Sequence, residues 1–207
     1  MIRPAPAYAS LAAADDALRP LVDAYGDADP FTYPDGGRTE GSNFAGMVLH
    51  IAAQQISTAV ALLLYDRLAA ATGGVPTPEA VLRLDVDRLR ELGMSHAKAT
   101  YLRSLAEAVV SGTLPIDDLG DLTDQQAVDA LTSVRGIGPW SAEMFLIHQL
   151  HRADILPAGD LGIRMAVQRL DGLEAVPSID EVRRRGERWA PYRTYASALL
   201  WRSLVTP

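Results

Sequence analysis

The stretch LTSVRGIGPWSAEMFLI, residues 131–147, decides the fold, because it joins two apolar helical segments through a turn that contains two glycines. Gly136 and Gly138 flank the apolar Ile137, so the chain turns tightly there and leaves backbone N–H groups uncovered. Pro139 sets the first turn of the next helix. The turn is either an ordinary connection between two helices or a nest of amides that suits a phosphate. A dinucleotide-binding fingerprint does not fit, since a helix and not a strand precedes the glycines.

The rest of the chain repeats the helical pattern. Apolar residues recur at helical spacing and alternating β-branched runs are nearly absent, which predicts an all-α protein. A first helix is predicted over about residues 7–24, followed by a stretch rich in glycine and proline. Further helices are predicted over about 43–55, 57–71, 86–91, 97–111, 124–134, 140–151, 160–170, 179–188 and 192–204.

Composition narrows the class of protein. The 207 residues are 48% hydrophobic, which is enough for one substantial core or for two small lobes. The chain has no cysteine, and this excludes disulfides, thiolate zinc sites and Cys-ligated iron–sulfur clusters. The net charge of −7 argues against a protein that coats nucleic acid, but it is compatible with a few phosphate contacts from backbone amides.

No apolar run approaches membrane-spanning length and the N-terminal residues lack a secretory pattern, so we expect a cytoplasmic protein without a membrane partner.

An acidic residue stands at the start of a later predicted helix. Asp160 lies within LPAGDLGIRMAV, residues 156–167, where its side chain can cap the helix. A carboxylate in that position can also stabilise a positive charge that develops on a substrate, and the two roles are compatible. The nearest competing carboxylate, Asp154, lies in the preceding turn.

These two segments carry a family resemblance. LTSVRGIGPWSAEMFL resembles the helix-hairpin-helix of the DNA glycosylase superfamily of that name, and LPAGDLGIRMAV resembles its turn and catalytic aspartate. Upstream, IAAQQISTAVALLLYDRL (residues 51–68) and LGMSHAKATYLRSLAEAV (residues 92–109) resemble the branch that excises alkylated bases, the 3-methyladenine DNA glycosylase II family. The resemblance runs from about Asn43 to Trp201, with the four pieces in the family's order.

The resemblance implies a two-lobed helix-hairpin-helix DNA glycosylase fold with a central cleft. One lobe would be built from both chain ends, residues 1–42 and 151–207, and the other from residues 43–150. The implied partner is double-stranded DNA containing a damaged base, which flips into the cleft, and the protein is expected to act as a monomer.

The resemblance also implies an active site. Asp160 would stabilise the oxocarbenium-like transition state while water attacks the sugar. Trp140 stands where bifunctional members carry a lysine, so the amine nucleophile is missing and we expect base removal without strand cleavage. The base pocket is predicted to contain Trp140 and Tyr192, whose aromatic rings favour a positively charged alkylpurine, and Met144, which stands where some relatives carry another aromatic residue.

DNA contacts are implied at two turns. In the hairpin, Gly136, Ile137 and Gly138 would meet a phosphate, and no cofactor is required. The backbone carbonyls of Thr132, Val134 and Ile137 would hold a monovalent cation, Na⁺ or K⁺. Gln54 and Gln55 would enter the minor groove, or else cap a neighbouring helix. Some relatives carry a leucine wedge where this chain has Ala52, so Gln54 is the predicted replacement.

Other polar and aromatic residues are assigned structural roles. Trp189 and Trp201 are predicted to be core residues, and His148 and His151 to be surface or interface histidines. The run Arg183–Arg185 is predicted to be a solvated helix face. Two alternative functions stay open: a glycosylase for oxidised or mismatched bases, and a non-catalytic helix-hairpin-helix DNA-binding protein.

Overall fold

The computed structural model describes residues 4–33 and 35–205, and the regular secondary structure in these residues is helical. No strand occurs in these residues, so the all-α prediction is confirmed. The α-helices are α1 (Pro4–Ala14), α2 (Arg19–Tyr25), α3 (Asn43–Ala53), α4 (Thr58–Thr72), α5 (Pro78–Leu82), α6 (Val86–Glu91), α7 (His96–Val110), α8 (Asp124–Thr132), α9 (Pro139–His148), α10 (Leu161–Asp171), α11 (Ile179–Gly186) and α12 (Arg193–Val205). Short 3₁₀ helices lie at Asp16–Leu18, Leu119–Asp121 and Glu187–Trp189. None of the described helices has the length and apolar character needed to cross a membrane.

The chain divides into two compact units. The first contains the described residues through Thr32 together with those from His151 onward, and the second contains Tyr33–Leu150. The sequence placed the first boundary at residue 42, ten residues later. The difference has a local cause, because the Tyr33 ring packs edge-on against His50 at 5.2 Å and Arg38 forms an ion pair with Asp66 at 2.7 Å.

The first unit is built on the packing of α1, α2, α10 and α12. Its core contains the fully buried rings of Tyr8, Trp189 and Tyr195, and Tyr8 meets Tyr195 edge-to-face at 5.4 Å. The prediction that Trp189 is a core residue is therefore confirmed.

A buried carboxylate interrupts the first predicted helix. The prediction of one helix over residues 7–24 is wrong, because α1 ends at Ala14 and Asp15 accepts a hydrogen bond from the Ala17 N–H at 3.2 Å. The Asp15 side chain also accepts hydrogen bonds from the Trp189 indole and from Arg185. Arg185 is nearly buried and also pairs with Asp171 at 2.7 Å, so the prediction of a solvated arginine face is wrong for this residue.

The second unit is organised around α3. Every residue from Phe44 to Ala53 is buried, and α3 packs against α4, α7 and α9. Side chains close the N-terminal ends of six successive helices in this unit by accepting a backbone N–H. The capping residues are Ser42, Ser57, Thr77, Asp85, Ser95 and Thr123. These caps explain why the predicted helix starts in this region agree closely with the structure.

The buried Asp15–Arg185 pair generates a stability prediction. We expect Asp15→Asn to lower the free energy of unfolding by about 3 kcal/mol, because the nearly buried Arg185 loses one of the two carboxylates that pair with it and keeps only Asp171. Burial raises the pKa of Asp15, but the hydrogen bonds from Arg185 and Trp189 outweigh burial and leave the pKa below its ordinary value. A depressed folded-state pKa stabilises the fold above the unfolded value, and this stabilisation disappears as the pH falls through the folded value.

Urea denaturation of both proteins at pH 7 and at pH 3 measures this effect. The difference in the free energy of unfolding between wild type and Asp15→Asn should be smaller at pH 3 than at pH 7. Asp16→Asn is the matched control, because Asp16 is 90% exposed and its ion pair with Arg19 lies in solvent. Equal losses in the two variants would contradict the assignment.

Candidate active site and DNA-binding hairpin

The hairpin between α8 and α9 depends on one glycine. Gly136 has φ +94°, and a Cβ atom there would lie 2.0 Å from Cγ of Tyr101. No other residue fits without moving the Tyr101 ring. Ile137 is buried, and its N–H donates to the Val134 carbonyl at 3.1 Å. The close contact of Gly136 with Tyr101 and the burial of Ile137 therefore hold the turn in position.

The outer side of the same turn presents backbone N–H groups. α9 begins at Pro139 with Gly138 as its N-cap, and no side chain caps this helix end. Gly136 and Gly138 are half-buried, and the neighbouring Arg135 is exposed. An uncapped helix N-terminus beside an exposed guanidinium suits an anion such as phosphate. Sequence reasoning did not single out Arg135, although its place in the RGIG turn is visible in the sequence.

The two glutamines after α3 have different environments. The Gln54 side-chain amide donates to the Gly136 carbonyl at 2.9 Å and to Ser141 Oγ at 3.0 Å, so it ties the end of α3 to the hairpin. Gln55 has φ +59° and is exposed at the turn. Ala52 is 1% exposed and cannot act as a wedge. The structure thus gives Gln54 a positioning role, and it is Gln55 that projects into solvent from this turn.

The predicted base-pocket residues come from two separate elements. Trp140 and Met144 lie four residues apart on one face of α9, with Trp140 half-buried and Met144 buried. Tyr192 belongs to the other unit, directly before α12, and its ring meets Tyr195 edge-to-face at 5.8 Å.

Asp160 caps α10 and is held by a tryptophan. Its Oδ1 accepts the Ile163 N–H at 2.9 Å and the Trp201 indole N–H at 3.0 Å. The carboxylate remains half-buried rather than enclosed. A Cβ atom at Gly162 would lie 2.9 Å from Oδ1 and 3.4 Å from the Trp201 ring, so this glycine leaves room for the contact. Two donors on one oxygen fix the orientation of the carboxyl plane.

The Trp201 contact corrects the sequence analysis. Trp201 was predicted to be a plain core residue, but it is half-buried and donates to Asp160. The chain separates the two by 41 positions, so no local pattern indicated the contact.

Asp154, the competing carboxylate, accepts three hydrogen bonds from the backbone and guanidinium of Arg193 at 2.7–3.1 Å. Asp154 therefore has a structural role.

The predicted cation ligands are backbone carbonyls at a helix end. Thr132 is the last residue of α8, where the helix dipole favours positive charge, and Val134 and Ile137 follow in the turn. Carbonyl oxygens suit a hard monovalent cation, so the donor set fits the predicted Na⁺ or K⁺. Within the described residues, no group of three or more His, Asp or Glu side chains forms an alternative metal site.

Comparisons with known proteins agree with this geometry. The family model for HhH-GPD superfamily base excision DNA repair proteins matches residues 48–191. DNA-3-methyladenine glycosylase 1 of Schizosaccharomyces pombe is 34% identical over 160 residues, which are 76% of this chain and 70% of that protein. The solved structure of the S. pombe 3-methyladenine DNA glycosylase in complex with abasic DNA has a TM-score of 0.87 and 29% identity, and the match covers 97% of each chain. DNA-3-methyladenine glycosidase from Bacillus halodurans has a TM-score of 0.81 and 31% identity over 97% of this chain and 90% of that one.

The glutamine pair provides a prediction with an internal control. We expect Gln54→Ala to lower the free energy of unfolding by about 1–2 kcal/mol, because the Gly136 carbonyl and the buried Ser141 hydroxyl each lose a hydrogen bond. Gln55→Ala, one residue away and exposed, should change stability by less than about 0.5 kcal/mol. Chemical denaturation monitored by circular dichroism measures both. A larger loss in Gln55→Ala would contradict the role given to Gln54.

Proposed function

The chain belongs to the HhH-GPD superfamily of base excision DNA repair proteins, in its 3-methyladenine DNA glycosylase branch, and from this membership we propose that it removes alkylated purines from duplex DNA. The reaction is hydrolysis of the N-glycosidic bond between base and deoxyribose. The observation that carries the proposal is the oriented carboxylate of Asp160, held at a helix N-terminus by the Trp201 indole.

The chemistry requires negative charge at a fixed place. As the glycosidic bond breaks, positive charge develops on the deoxyribose, and a carboxylate stabilises that charge if it does not have to reorient. Asp160 meets this requirement because Ile163 and Trp201 bind the same oxygen and hold the group still. The alkylated base leaves as a neutral molecule, water adds to the anomeric carbon, and the proton that the water loses passes to the solvent.

The base is selected by its charge. Alkylation at a ring nitrogen makes a purine positively charged and electron-poor, and such a ring binds an aromatic face more strongly than a neutral base does. Trp140 offers such a face on α9, with the buried Met144 one turn further along the same helix. Tyr192 is the second aromatic residue that we propose for this role. The positively charged base also leaves the sugar more easily than a neutral base does, so binding and bond cleavage favour the same substrates.

Duplex DNA would be held through the hairpin and the turn after α3. The N–H groups at Gly136 and Gly138, together with Arg135, would bind a backbone phosphate. Thr132, Val134 and Ile137 would hold the monovalent cation, which supplies positive charge beside the same phosphate. Gln55 would occupy the space that the flipped nucleotide leaves in the duplex, and the protein would act as a monomer.

The catalytic assignment is tested with Asp160→Asn. We expect single-turnover release of 3-methyladenine or 7-methylguanine from alkylated duplex DNA to fall at least ~100-fold, because the neutral amide cannot stabilise the developing charge. Neither protein should nick the DNA, since Trp140 replaces the lysine that a β-elimination requires. Thermal melts establish that both proteins are folded.

Two other results would change the proposal. Release of oxidised or mismatched bases alone would favour the rival glycosylase activity. A folded wild type that binds duplex DNA and releases no base from any lesion would favour a non-catalytic DNA-binding protein.

The tryptophan beside the carboxylate can be tested separately. We expect Trp201→Phe to lower the excision rate about 10-fold, because Asp160 loses an orienting hydrogen bond worth about 1.4 kcal/mol in the transition state. Trp189→Phe is the matched control, since that indole donates to Asp15 in the core and its loss should reduce stability rather than the rate. An unchanged rate in Trp201→Phe would remove Trp201 from the active site.

A further inference from the structure

A histidine in the second unit is buried without a hydrogen-bond partner. His50 is 1% exposed, and neither ring nitrogen has a partner among the described residues. A buried polar group of this kind costs about 1–3 kcal/mol unless something outside the chain satisfies it. It lies on α3, a helix that is otherwise apolar from Phe44 to Ala53.

His50 belongs to a cluster of three rings, formed by Tyr33, His50 and His148. Tyr33 meets His50 at 5.2 Å and His148 at 4.9 Å, both edge-to-face, and the two imidazoles lie 5.9 Å apart. Tyr33 and His148 are half-buried and form the outer part of the cluster, with His50 beneath them. His148 was predicted to be a surface or interface residue, and no role was predicted for His50.

The imidazole of His50 is neutral. Burial and, as the smaller cause, the nearby His148 together lower its pKa to about 3. A neutral imidazole offers one N–H donor and one nitrogen acceptor. It also does not repel a positively charged base, which a protonated histidine would do.

The cluster lies on the helix face that carries the proposed base contacts. Trp140, Met144 and His148 follow one another at intervals of four residues on α9, so their side chains share one face. His148 is about 6 Å along the axis from Met144 and about 12 Å from Trp140, which is comparable to the length of a purine and its sugar. The cluster therefore lies at the C-terminal end of the helix face that carries Trp140 and Met144.

We propose that the Tyr33–His50–His148 cluster is the hydrogen-bonding end of the base site, and that His50 is a specificity-determining residue that binds the edge of the excised purine. This inference rests on the proposed glycosylase function. The purine edge reaches His50 when the Tyr33 ring turns aside, and Tyr33 lies in the irregular segment between α2 and α3.

The hydrogen bond matters most for neutral purines. An alkylated purine is already positively charged and leaves the sugar as a neutral base. A neutral purine instead gains negative charge as the glycosidic bond breaks, so it depends on a donor at its edge. His50 donates a hydrogen bond from its N–H and keeps the proton, while the leaving purine takes the proton that the water loses as it adds to the sugar. The nitrogen acceptor of His50 distinguishes purines by their exocyclic groups.

The experiment compares two lesions in the full-length chain. Single-turnover excision is measured on duplexes that contain one 7-methylguanine or one hypoxanthine, with wild type, His50→Phe and His50→Gln. His50→Phe keeps the ring and removes both nitrogens, and it is expected to fold because no unsatisfied polar group remains. We expect hypoxanthine excision to fall at least ~10-fold and 7-methylguanine excision to change less than ~3-fold. His50→Gln keeps a donor and an acceptor and should restore part of the hypoxanthine rate.

His96→Phe is the control for removing a histidine, because His96 is exposed at the start of α7 in the same unit. Equal effects of His50→Phe on both lesions, no effect on either, or a higher melting temperature with unchanged excision would overturn the inference and leave the proposed function in place. Wild type that removes 7-methylguanine but not hypoxanthine would also overturn it. Release of neither base would contradict the proposed function itself.

Discussion

A helix begins with backbone N–H groups that have no partner within the helix, and the need to satisfy them organises this chain. From Asn43 to Gly186, every α-helix except α9 starts with a Ser, Thr or Asp side chain that accepts one of these N–H groups. At α10 that side chain is Asp160, so the residue that caps the helix is also the proposed catalytic carboxylate. At α9 the cap is Gly138, which leaves its N–H groups to an acceptor outside the helix. The same backbone requirement thus places the carboxylate and opens the proposed phosphate site.

Both features also depend on close approaches that only glycine allows. Gly136 brings the hairpin backbone against the Tyr101 ring, and Gly162 lets the Trp201 indole reach Asp160. In each case a side chain at the glycine would push away the group that holds the site in position. The geometry of the proposed site is therefore encoded at positions that carry no reactive group.

Local patterns in the sequence were sufficient for much of this. The hairpin glycines, the caps and the helical spacing predicted the all-α fold and the place of Asp160 at the start of α10. Contacts between distant residues were not predictable: Gln54 reaches Gly136 across 82 positions, and Trp201 reaches Asp160 across 41. Asp15 shows the same limit, since the break between α1 and α2 depends on Arg185 and Trp189, far along the chain. A single sequence shows which groups need a hydrogen-bond or charge partner, but the fold determines which residue becomes that partner.

The acidic composition is the feature that agrees least readily with a DNA-binding enzyme. Ion pairs within the fold, such as Arg193 with Asp154 and Arg38 with Asp66, remove one charge of each sign and leave the net charge of −7 unchanged. The total charge does not describe the field at one surface, because that field depends on how the charges are distributed. At the hairpin the phosphate would meet backbone N–H groups with Arg135 beside them, and neutral amides bind a phosphate without the counterion release that rows of lysines produce. Binding of this kind depends on the position of the backbone more than on total charge, and that position is what Gly136 and Gln54 maintain.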